Sequence, residues 1–247
     1  MEGAELAAFM MSAAIFGLLL GHPGSPIHQA IPDPIVRRLI TGIAMGCTAI
    51  AIVMSPWGRQ SGAHMNPSLT LTFLRLGKIA PWDAAFYVVA QFVGGIIGIL
   101  IASLLIGSAL ASPEVNYVAT QPGAPGSLVA FFAELLISFV LMLTVLGVSN
   151  NRQLARFTPY FVGALIASYI TLEDPFSGMS MNPARTFGPA VVGSVWHALW
   201  VYFTAPPLGM LLAAEIYVRR RGLSAVWCAK LHHDNHTRCI FQCGYTV

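Results

Sequence analysis

Two stretches of this chain carry the same chemistry. Ser61-Gly62-Ala63-His64-Met65-Asn66-Pro67-Ser68 is echoed by Ser177-Gly178-Met179-Ser180-Met181-Asn182-Pro183-Ala184. Asn suits a helix N-cap and Pro the first helical position, so each stretch opens a helix. The two helices run to about Leu76 and Val192. At about 1.5 Å per residue both are too short to cross a hydrocarbon layer of about 30 Å. The side-chain amides of Asn66 and Asn182 offer N–H donors to an oxygen. Each helix tip carries roughly +0.5 of an elementary charge. Two such tips meeting head to head would repel cations and pass an uncharged, hydrogen-bonding solute. The plainer alternative is an ordinary N-cap on a surface helix after a loop.

Other residues add to this pattern. Arg185 follows the second motif at a depth where a charge is expensive and marks a function by default; its structural alternative is a pair with Glu173 or Asp174. Glu5 and Glu134 lie in apolar runs, in the phrases Ala4-Glu5-Leu6 and Ala133-Glu134-Leu135. Near the C-terminus, Cys228, His232, His233, His236, Cys239 and Cys243 offer thiol and imidazole groups that can hold zinc. Their spacing matches no standard zinc pattern, so a zinc site and a reduced tail that packs or binds a partner both stay open. Nothing resembles a nucleophile–base set or a phosphate loop, which excludes an enzyme, and a net charge of +3 gives no reason to expect nucleic acid.

The elements that position these groups are membrane spans. Of 247 residues, 56% are hydrophobic and 9% charged, against about 25% charged in a soluble domain. Six apolar runs come near the roughly 17–25 residues a span needs: 4–21, 36–54, 82–107, 128–148, 157–172 and 196–218. The first is a retained helix, since Glu2 and Glu5 stand where a signal peptide carries Lys or Arg. Cys47 reads as a small core residue. Gly94, Gly95, Gly98 and Gly163 permit close helix contact. Each half reads helix, helix, Asn-Pro half-helix, helix. Three spans per half is odd, so the halves are inverted, which puts a functional site near the midplane.

The expected fold is therefore an all-α membrane protein of six transmembrane helices plus two re-entrant half-helices in an inverted repeat. Residues 1–222 form the transmembrane domain, with halves of about 1–110 and 127–222, and 223–247 form a cytoplasmic tail. With both termini inside, ten of the thirteen basic residues face the cytoplasm, as the positive-inside rule requires. The expected location is the cell (inner) membrane.

On the two Asn-Pro motifs, the Arg after the second and the two span glutamates, residues 4–218 resemble the aquaporin family, also called major intrinsic proteins. Ser68 departs from the family's usual Asn-Pro-Ala. The resemblance implies a passive channel for water and small neutral solutes that excludes protons and ions by the pore physics known for this family, needs no cofactor and assembles as a homotetramer in the bilayer. It implies a filter of Met45, Ile170, Met179 and Arg185, with Tyr169 the neighbour of Ile170. It implies that Glu5 and Glu134 brace the re-entrant loops and that His64 lines the inner pore or packs as a hydrogen-bonded loop histidine. Water channels of the family usually carry Phe and His where this chain has Met45 and Ile170, whereas Thr186 and Tyr202 match the water side. Glycerol, urea and ammonia stay open as solutes. The rivals are an ion-coupled transporter using Glu5 and Glu134, and a scaffold with a closed pore and a metal-sensing tail.

Overall fold

The computed structural model describes residues 1–233 and 237–245, and among these it contains helices and no strands. The first half is α1 (Glu2–Gly21), the short α2 (Pro26–Ala30), α3 (Pro34–Met54), α4 (Pro56–Ser61), α5 (Pro67–Arg75) and α6 (Pro81–Ile106). The second half is α7 (Ser127–Ser149), α8 (Thr158–Leu172), α9 (Asp174–Ser177), α10 (Pro183–Gly193) and α11 (Leu199–Arg221). Proline opens many of these helices, where its missing N–H costs no hydrogen bond.

Five of them (α1, α3, α6, α7 and α11) are long and apolar enough to cross a membrane. The sixth span, α8, has 15 residues and is extended by the 3-10 turn Ala155–Phe157. It is held in place by α3. Gly42 abuts Ala167 and Thr171, while Gly46 abuts Gly163 and Ala167, so the two helices run antiparallel with their backbones in contact.

The half-helices are exchanged between the halves. α5 packs on α11, and α10 packs on α6. A Cβ on Gly95 would stand 2.6 Å from the Ala184 carbonyl, and one on Gly188 would stand 2.4 Å from the Gly95 carbonyl. Gly94 and Gly98 meet Gly3 and Ala7 of α1 in the same way. With no hydrophobic drive between helices in lipid, such backbone contact supplies the dispersion that holds them. Cys47 is exposed on α3, contrary to its reading as a core residue. Its neighbour Gly46 takes the α8 contact, and one step of about 100° around the helix turns Cys47 away.

The tail expected from residue 223 onward does not hang free. Val226, Ala229 and Leu231 are buried in the same core as Ala63, Phe73, Val145 and Leu146.

Candidate functional site

Both re-entrant loops reach the middle of the fold by the same backbone route. A short helix, α4 or α9, ends in a left-handed glycine, Gly62 at φ 89° or Gly178 at φ 75°. Positive φ then recurs at Ala63 and Met65 in one loop and at Met179 and Met181 in the other. Non-glycine residues adopt this region at a cost, so the surroundings must hold it.

The two glutamates of the sequence echo turn out to be three. In the second half Glu134 does all the bracing. It accepts the Ser177 hydroxyl at 2.7 Å and the amides of Ser180 and Met181 at 2.6 and 2.7 Å. In the first half the work is divided. Glu5 accepts the Ser61 hydroxyl at 2.7 Å. Glu2, one turn earlier, accepts the amides of His64 and Met65 at 2.8 and 2.6 Å, and also Gln91 Nε2 at 2.7 Å. Glu5 therefore shares the bracing expected of it with Glu2: positions i and i+3 share a helix face, and the earlier one reaches the loop amides. Tyr87 and Tyr202 complete the symmetry by donating to the carbonyls of Ser61 and Ser177 at 2.7 and 2.5 Å.

The half-helix tips meet. Asn66 caps α5, its Oδ1 accepting from the Ser68 amide at 2.9 Å, and its Nδ2 donates to the Met181 carbonyl at 2.7 Å. Asn182 caps α10, accepting from Ala184 and Arg185 at 3.0 and 3.2 Å, and its Nδ2 donates to the Met65 carbonyl at 2.6 Å. Each amide nitrogen has a second N–H to offer. Pro67 and Pro183 sit at the first helical positions, with Ser68 and Ala184 buried behind them.

Both asparagines line one cavity of ≈ 360 Å³. Met45, Ile170, Met179, Arg185 and His64 line it too; Tyr169 does not. Side chains lean toward the N-terminus of their own helix, so on antiparallel α3 and α8 Met45 and Ile170 lean toward each other. Arg185 donates Nη1 to the Val118 carbonyl at 2.8 Å. Among the described residues it forms no ion pair with Glu173 or Asp174. Asp174, named above as a pairing partner, does line the same cavity, as do Thr41, Val118, Ala119 and Gln121, which the sequence did not single out as lining residues. Thr41 lies one turn from Met45 on the same face, so the helical period alone could have found it.

His64 lines the cavity and is also tightly packed. Its Nδ1 lies 3.0 Å from Thr70 Oγ1 and its Nε2 2.8 Å from the Ala229 carbonyl. The ring is stacked between Phe73 and Phe241. In the tail, Cys228, His233, Cys239 and Cys243 present ligand atoms that all lie within 4.8 Å of one another. The imidazole in this group is His233 rather than His232. The expected ligand His236 lies outside the described residues. A hydrogen bond from Cys228, helped by His233 and the Phe241 amide, pushes the Cys239 thiol down toward the thiolate.

Comparison with known proteins converges on one family. The model for Major intrinsic protein matches residues 5–217. Aquaporin TIP4-4 of Zea mays is 35% identical over 72% of this chain and 70% of its own length. Putative aquaporin NIP4-1 of Arabidopsis thaliana is 35% identical over 68% of this chain and 58% of its own. Aquaporin A of Dictyostelium discoideum is 33% identical over 75% and 67%. The chain thus spans roughly three fifths to two thirds of the length of most of these relatives. The solved aquaglyceroporin of Plasmodium falciparum superposes with a TM-score of 0.69, at 18% identity, over 87% of this chain and 92% of its own.

Proposed function

Since the chain belongs to the major intrinsic protein family, we propose that it conducts water and small neutral solutes passively while excluding protons and ions. Members of this family are channels, not enzymes, and need no cofactor; the chain is an integral, multi-pass membrane protein. One observation carries the reading: the amide nitrogens of Asn66 and Asn182 bond across to each other's loops at the wall of a single cavity. Two positive helix tips there repel cations, and the remaining N–H donors engage a passing oxygen.

The filter we infer is Met45, Ile170, Met179 and Arg185. Two thioethers and a butyl side chain leave Arg185 and the Val118 and Ala119 segment as the polar partners. Thioethers adapt to their contents, so water passes first and glycerol, urea or ammonia follow. A coupled transporter needs a titrating carboxylate at the midplane lumen, whereas neither Glu5 nor Glu134 lines the cavity and Glu134 has both oxygens engaged by loop donors. We further infer a homotetramer in the cell (inner) membrane with both termini cytoplasmic; the basic residues gathered at the tail end of the fold support that orientation.

Stopped-flow swelling of proteoliposomes in parallel mannitol, glycerol and urea gradients tests the reading. Water permeability well above empty liposomes, independent of proton or sodium gradients, is expected. Flux that requires such a gradient would make the protein a transporter instead.

A further inference from the structure

The tail after α11 folds across the inner end of the cavity. Leu231 lines that cavity, and its amide donates to the Gly62 carbonyl at 3.2 Å. The Ala229 carbonyl lies 2.8 Å from His64 Nε2. Phe241 stacks on the His64 ring at 5.5 Å, and the Gln242 amide donates to the Lys78 carbonyl at 3.1 Å. Two tail segments, 226–231 and 241–242, thus touch the loop that carries Asn66 or the turn that follows its half-helix. Of the clustered residues, Cys228 lies within the first segment, His233 just beyond it, and Cys239 and Cys243 on either side of the second.

We propose that Cys228, His233, Cys239 and Cys243 bind one zinc ion, and that this ion clamps the tail as a plug over the inner mouth, so that flux falls when zinc is bound. The plugging half rests on the channel reading; the metal half does not.

The geometry suits zinc. Cys228 and Cys239 Sγ are 3.4 Å apart, and His233 Nε2 is 3.0 Å from Cys243 Sγ. A tetrahedral ion with bonds of about 2.0–2.3 Å sets ligands about 3.5–3.8 Å apart, so small shifts admit it. Three sulfurs and an imidazole select a borderline-soft cation over calcium or magnesium. The thiols are also prepared as ligands. The Lys230 amide donates to Cys228 Sγ at 3.5 Å, and the Phe241 amide bonds Cys239. Each donor lies two residues beyond its cysteine, an outer-shell bond that aims and steadies a thiolate.

Charge agrees with this assignment. Three thiolates and a neutral imidazole around a divalent ion leave a net charge of −1. Lys230, 1% exposed and two residues from Cys228, with its Nζ donating to the Thr237 carbonyl at 3.2 Å, is the cation placed to offset that charge. In a reducing cytoplasm these thiols stay available to metal rather than forming disulfides. One ion would tie together chain segments that otherwise hold the mouth through a few single contacts.

The test uses the full-length protein. After zinc loading and dialysis it should retain about one zinc per chain, and Cys239→Ser and Cys243→Ser should each lose it. Hydrogen exchange at the amides of residues 226–231 should speed up when a strong chelator removes the ion. Water permeability in proteoliposomes should rise on the order of tenfold with chelation, the response of a closed-to-open ratio biased by saturating ligand. No retained zinc, or a Cys228–Cys239 disulfide formed in its place, overturns the metal site. Zinc retained with exchange and flux both unmoved by chelation overturns the plug. A double variant, Leu231→Ala with Cys239→Ser, opens the mouth by construction. If it too passes no water, the channel reading fails, while zinc content and exchange in the parent still decide the site and its clamp.

Discussion

Asn66 and Asn182 each hold the other's loop, through Nδ2 bonds of 2.7 and 2.6 Å to the Met181 and Met65 carbonyls. Asn66→Ala removes a cap worth about 1 kcal/mol and leaves a buried carbonyl unpaired at a cost of about 1–3 kcal/mol. Asn182→Ala should cost about the same. Both variants should melt earlier in detergent and pass less water. Melting like the parent would show that these amides do not hold the tips together.

The division of bracing between Glu2 and Glu5 predicts an order of damage. Glu2→Ala strands the donors of His64, Met65 and Gln91, at about 1–3 kcal/mol each before relaxation. Glu134→Ala strands an equal set. Glu5→Gln keeps an oxygen for the Ser61 hydroxyl and should be mild. Thermal unfolding should therefore rank Glu2→Ala close to Glu134→Ala, with Glu5→Gln near the parent. A Glu5→Gln variant as unstable as Glu134→Ala would refute the division.

Much of this was legible in sequence because it is local chemistry. Spans follow from hydropathy, and the half-helices follow from an N-cap Asn before Pro. Glu2 escaped because a three-letter echo aligned Glu5 with Glu134, and no alignment of letters shows that the amides are reached from one turn earlier. The tail escaped for another reason. Its ties run to backbone atoms of Gly62 and Lys78 and to the ring of His64, and a carbonyl acceptor looks the same at every residue.

The filter assignment predicts a change of selectivity. Met45→Phe combined with Ile170→His narrows the lumen and adds a polar ring. Glycerol permeability relative to water should fall about tenfold, the effect of roughly 1.4 kcal/mol. If the ratio of the two swelling rates does not change, these residues are not at the constriction.

Arg185→Val removes the charge that faces the Val118 carbonyl. At about 8 Å and an effective dielectric of about 20, one unit charge repels another by about 2 kcal/mol. Cation or proton entry should rise about thirtyfold, read as faster collapse of a pH gradient in dye-loaded vesicles. An unchanged collapse rate would assign the barrier to the Asn tips alone.

Mercury offers an independent check, because Cys47 is exposed on α3 and does not line the cavity. Hg²⁺ applied from the outer face should inhibit water flux little, and Cys47→Ser should respond as the parent does. Strong inhibition reversed by thiol would place a cysteine in the lumen.

Gly95 lies against the Ala184 carbonyl and Gly188 against that of Gly95, with no side chain between them. Helices joined so closely cannot slide without losing van der Waals contact along the whole seam. The bore at the asparagines is therefore a fixed aperture, set when the chain assembles. Control of throughput has to act like a valve at one end of the pipe, where loosely tied chain can move aside.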